Sequence, residues 1–180
     1  MQRSLRRMIG GLALCLLVPG LLAAQAPKSE KEMLIEDWTR FQGNVKKYIE
    51  AMPDSAFAFR PTPGVRTFGE QIEHILMANV MTAAVVTVPK GKVISLGDTA
   101  AYRTSKRALL AATDSAFSHS MSVLRGLNAA QLARDVALFG QTRPAGRWFR
   151  IMHEHGVWTL GQTVPYLRLN GVTPPGYLPF

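Results

Sequence analysis

The chain holds 180 residues, with 21 Lys and Arg against 12 Asp and Glu, a formal net charge of +9 and one cysteine. At 47% hydrophobic and 18% charged residues it is too apolar for a disordered chain. One cysteine excludes an intrachain disulfide, and the absence of a basic stripe interleaved with aromatics argues against nucleic acid as a partner.

Arg3, Arg6 and Arg7 give the chain a basic start, and Ile9 to Ala23 is an apolar run broken only by small residues and Pro19. Ala24-Gln25-Ala26 then has the small-x-small pattern of a signal-peptidase site. The apolar run is short for a membrane span. These features predict a signal peptide over residues 1–26 and a mature domain over 27–180. They also predict an exported protein, periplasmic or extracellular, with no transmembrane segment in the mature chain. An uncleaved N-terminal anchor is the alternative. Leu14 occupies the position before Cys15 where a lipoprotein signal needs a small residue. Cys15 leaves with the signal, so the mature chain has no thiol nucleophile and must rest on its core or on oligomerisation. Its positive excess favours anionic neighbours such as lipid head groups or acidic glycans, or serves as a soluble basic surface.

The first predicted helix runs from about Ser29 to Met52. Ser29 and Glu32 have capping-box spacing, and Pro53 closes the helix. Leu34, Trp38, Phe41, Val45, Tyr48 and Ile49 mark its buried face. A loop follows, in which Pro61-Thr62-Pro63-Gly64 cannot be helical and Phe57 and Phe59 are expected to pin it to the core. The second helix starts at Thr67, again with a capping box to Glu70, and continues to about Thr87. It is apolar nearly all round, which makes it either central or part of a subunit interface, and a homodimer is expected on that ground.

Val88 to Asp98 reads as a second loop. The third helix is predicted from about Thr99 to Arg125, with Gly126 as its stop. Leu127 to Gly146 is a longer link with a short helical turn at Ala129 to Leu132. The fourth helix is predicted from Arg147 to about Asn170, with Gly171 in the left-handed position beyond its end. Strand-like alternation is absent beyond a few residues. Four amphipathic segments with intervening turns argue an all-α, antiparallel four-helix bundle.

Chemistry is confined to few side chains. The histidines are His74, His119, His153 and His155. His153 and His155 are two residues apart and so point about 200° apart on a helix, which rules out one shared ligand direction. The zinc signature with histidines four apart on one face is absent. His155 is in phase with Met152, Thr159 and Gln162 on the face expected to look inward. His153 should then face solvent, and His119 should sit at a helix surface. No nucleophile elbow, phosphate loop or dinucleotide fingerprint is present.

The Phe59-Arg60-Pro61 stretch, the Phe68-Gly69-Glu70-Gln71-Ile72-x-His74 stretch and the His155-to-Pro175 tail together resemble DinB-like proteins, particularly exported bacterial members. The resemblance implies a four-helix bundle, often dimeric. It also implies a divalent metal, zinc or nickel, held by one His of the second helix and two of the fourth, four residues apart. His74 and His155 match two of those positions, and Thr159 stands at the third. A metal site for hydrolysis or transfer needs about three protein ligands, and a Thr hydroxyl is a poor ligand beside imidazole. Metal should therefore bind weakly. Glu70 and Gln162 are the replacement ligands to consider, and Glu70, Gln71, Thr159 and Gln162 outline a polar pocket. The expectation is a small-molecule- or partner-binding protein with a degenerate metal site. The alternative is a divalent-metal-dependent transferase or hydrolase, an activity class that the resemblance implies.

Overall fold

The computed structural model describes residues 27–87 and 91–177. The expected signal peptide, residues 1–26, lies outside the described residues. Among the described residues, four long helices build the fold: α1 (Glu30–Ala51), α2 (Phe68–Val86), α4 (Lys106–Gly126) and α6 (Ala145–Gly161). Shorter helices are α3 (Thr99–Thr104), α5 (Ala129–Ala133) and α7 (Val164–Leu169), and a hairpin pairs β1 (Asp135–Leu138) with β2 (Gln141–Pro144). None of the helices among the described residues is long and apolar enough to cross a membrane.

Both expected capping boxes form, Ser29 with Glu32 and Thr67 with Glu70. Each satisfies orphan N–H groups at a helix start and fixes where the helix begins. The long predicted third helix is broken at Ser105, whose backbone is extended and whose hydroxyl accepts from Ala108 N to cap α4. Ser competes with the helical backbone in this way, which favours caps over interiors. The predicted fourth helix is likewise broken, between α6 and α7. Pro165 is the cause: in a continuous helix its ring would meet the carbonyl four residues back, whereas at the start of α7 it fits.

The hairpin has no counterpart in the helical pattern of the sequence. Phe139 and Gly140, at φ 50° and 71°, form its two-residue turn. Positive φ at both positions suits the twist of a tight hairpin. Trp148 donates its indole N–H to Val136 O at 2.8 Å and ties the hairpin to α6.

Helix directions follow from the contacts. Lys46 pairs with Asp114, and Lys31 donates to Leu127 O, so α1 and α4 are antiparallel. Trp38 packs on Phe149 and Phe41 on His153, so α1 and α6 are parallel. The His74–His155 and Gln71–Gln162 contacts make α2 and α6 antiparallel. α2 and α4 both start near the end of α1 and therefore run the same way. The expected all-α bundle thus has two antiparallel and two parallel neighbouring pairs, and residues 91–98 lie back along α2, Gly91 N–H donating to Ala84 O and Val93 lying by Met81 and Met77.

Trp38, Phe41, Phe117 and Phe149 meet edge to face at the centre of the core. Fully burying each such side chain contributes about 2–3 kcal/mol. α6 comes close to α1 at Gly156, where a Cβ would sit 2.5 Å from the Phe41 ring. α2 is the central helix: Ile72, Ile75, Leu76, Val80, Ala83 and Val86 are buried against α4, α6, α3 and the hairpin. Met77 on the same helix stays exposed, and Met81 and Val85 are part-buried.

Candidate functional site

His74 lies two turns into α2, held by the Thr67 cap behind it and by buried Ile72 and Ile75 beside it. His155 lies in the middle of α6. Their Nε2 atoms are 3.2 Å apart, with the rings 5.0 Å between centroids and inclined at 75°. Thr159, one turn beyond His155 and 1% exposed, places its Oγ1 3.5 Å from His155 Nε2. The Thr159 hydroxyl donates to His155 O at 2.8 Å. Gln71 donates its amide to Gln162 Oε1 at 2.7 Å and joins the same two helices next to the pair.

Glu70 is turned to other duties. Its carboxylate accepts from Thr67 N at 2.8 Å and lies 3.5 Å from Arg60 and 3.7 Å from Arg103. Glu73, the other nearby carboxylate, is taken by Arg103 Nε at 2.5 Å and Tyr102 O–H at 2.8 Å. His119 is half-buried on α4.

His153 departs from its expected place in solvent. Its ring packs edge-on against Phe41 at 5.5 Å, and its Nε2 is buried with no partner among the described residues. The close approach of α1 and α6 at Gly156 covers this flank, which helical phase alone does not reveal.

These residues test the implied metal. Two imidazole nitrogens converge, but among the described residues no three His, Cys, Asp or Glu gather to hold an ion. Metal-bound histidines usually donate their second ring N–H to a partner. His155 Nδ1 is buried and has none among the described residues. Glu70 and Gln162, the replacement ligands considered, are engaged elsewhere. The donor set does not fit a three-ligand metal site.

Burial holds the pKa of His74 below its ordinary value, with help from the positive charges of Arg66 and, when protonated, His155. Burial and then Arg66 do the same for His155. His153 is lowered chiefly by burial. In the neutral pair one ring donates its Nε2–H and the other accepts it; a second proton between them has no acceptor. The unfolded chain therefore binds more protons than the native state as the pH falls through the ordinary imidazole value of 6.5. Stability is fully present above that value and is lost as the pH drops through the lower folded-state values. The urea midpoint should fall between pH ~7.5 and pH ~5.5, and less steeply in the His74→Gln, His155→Gln double variant. A midpoint that rises on acidification contradicts this account.

Comparison with known proteins bears on the same residues. Residues 37–162 match the DinB superfamily. The chain belongs to the DinB superfamily. Solved structures agree at the level of fold. A DinB-like protein from Bacillus cereus ATCC 10987 superposes with a TM-score of 0.71 at 19% identity, over 82% of this chain and 97% of that one. A DinB-like protein from Bacillus subtilis (YjoA) gives a TM-score of 0.65 at 18% identity, over 81% and 96%. No curated protein matches.

Within this superfamily member, three features of the site region escape sequence reasoning: Arg66, the Phe139 turn, and an apolar cleft walled by Met77, Met81 and Ile151. Arg66 precedes a helix cap and looks like any loop cation. Phe139-Gly140 is a weak turn signal because bulky residues rarely adopt positive φ.

Proposed function

We propose that this chain is an exported, metal-poor DinB-superfamily protein that binds a small molecule around His74 and His155. The observation that carries the reading is the imidazole pair, its Nε2 atoms 3.2 Å apart, with the Thr159 hydroxyl in place of a third nitrogen. Such a pair offers one donor or one acceptor to a ligand and holds zinc or nickel weakly. The convergence of the two Nε2 atoms favours one other reading, a divalent-metal-dependent transferase or hydrolase. Metal analysis of the protein purified without a histidine tag separates the two. The binding reading expects far less than one metal per chain. A full complement of zinc or nickel revives the enzyme.

Export rests on Arg3, Arg6 and Arg7, the apolar run Ile9 to Ala23, and the Ala24-Gln25-Ala26 site. N-terminal sequencing of protein from its native envelope should begin near Pro27. An intact Met1 or an acylated Cys15 contradicts this.

A further inference from the structure

The histidine pair stands at a boundary between two kinds of surface. On one side is a polar cleft that includes Arg60, Arg66, Glu70, Glu73, His74 and Arg103. On the other is a cleft of about 500 Å³ walled by Met77, Met81, Val93, Phe139 and Ile151, and it too reaches His74 and His155. His74 and Met77 line both, so the two clefts meet at these side chains. We infer that they form one amphipathic trough whose ligand is a linear, medium-chain carboxylate, with its head at Arg66 and the histidine pair and its tail along the methionines. The inference rests on the small-molecule reading above and names the ligand class for that site.

Charge selects the head group. Arg60 and Arg103 already face Glu70 and Glu73. No carboxylate pairs with Arg66 among the described residues, and Arg66 lines the same polar cleft as His74. Its backbone is anchored, since Tyr166 donates its O–H to Arg66 O at 2.8 Å, and its side chain is exposed to the cleft. A guanidinium with no carboxylate partner among the described residues, in the cleft that reaches His74, suits a single carboxylate, which it can bind through two N–H groups.

The apolar side is shaped for a flexible tail. Met77, Val93 and Phe139 are 39%, 48% and 62% exposed. Methionine adapts to irregular hydrocarbon shapes, and the volume lies in the range of small-molecule sites. Phe139 is the most telling residue. It is the one described non-glycine residue with positive φ, and its ring leans edge-on against Trp148 at 6.3 Å. The hairpin turn imposes this conformation, and a bulky side chain is strained in it. Gly there would relieve the strain; Phe there supplies a wall.

Calorimetric titration with decanoate, decan-1-ol and acetate tests this, alongside light scattering. Decanoate should saturate one site per chain. Each methylene removed from the tail should weaken binding about fourfold, so acetate should show no measurable binding. Arg66→Gln should weaken decanoate by about tenfold or more and leave decan-1-ol unchanged. Phe139→Gly should keep thermal stability or raise it while weakening decanoate. Overturning results are no saturable decanoate binding, equal affinity for decanoate and decan-1-ol, or indifference to Arg66→Gln. A dimer that Phe139→Gly dissociates also overturns it, because a second copy would then cover the cleft. Failure with decanoate leaves the metal-poor reading intact, whereas a full metal complement removes that reading whatever decanoate does.

Discussion

Changing Thr159 to His should raise the affinity for zinc by well over tenfold. Residues four apart on a helix stand one above the other, so an imidazole at 159 joins the one at 155 on the same face. The present hydroxyl is already 3.5 Å from His155 Nε2, at the point where a third donor is missing. Hydroxyl oxygen is a weak ligand beside imidazole, and three protein ligands are the usual minimum for a zinc centre open to substrate. Outer-shell support alone is worth about 10–100-fold in metal affinity, and a direct ligand should exceed it. The larger ring enters a buried position and costs about 1–3 kcal/mol of stability in the metal-free protein. Zinc should then raise the melting temperature of Thr159→His by much more than that of the native protein. An unchanged affinity would show that His74 and His155 do not converge on a common point.

Gly69→Ala should be the most damaging small substitution near the site. A Cβ at this position would lie 2.2 Å from the Arg103 carbonyl oxygen and 2.8 Å from its carbon. Those are backbone atoms, so no side-chain rotation relieves the clash; α3 must move away from α2. Moving it strips Glu73 of Arg103 and Tyr102, its two partners. Overpacking of this kind costs about 1–3 kcal/mol, with a backbone clash at the upper end. The gain in helix propensity from Gly to Ala, about 0.5–1 kcal/mol, has the opposite sign and is smaller. Urea unfolding should show a net loss of about 2 kcal/mol. Equal or greater stability would mean that α3 does not rest on Gly69.

The parts of this molecule legible in its sequence are those governed by local rules. The Ser29 and Thr67 caps, the inward stripe from Leu34 to Ile49 and the left-handed Gly171 each follow from spacing or backbone preference. Pro165 was equally legible as the point where the last helix must break, but the apolar periodicity running through it masks the stop. The way residues 91–98 lie back along α2 is a matter of tertiary packing, and no local signal encodes it. The same holds for the site. Phase places His155, Thr159 and Gln162 on one face, and the structure adds that His74 and Gln71 meet that face from α2. Phase fails for His153, because Gly156 lets α1 lie close enough to cover a flank that would otherwise be wet. Arg66 and Phe139 gain their meaning only from what they stand beside.

Titration of the native, untagged protein with zinc, followed by calorimetry at neutral pH, tests the central claim most directly. Two imidazoles with an unsupported Nδ1 on His155 predict weak binding that is not stoichiometric at micromolar protein. Tight binding of one zinc per chain, abolished by His74→Gln or His155→Gln, would contradict the metal-poor site and restore the metalloenzyme.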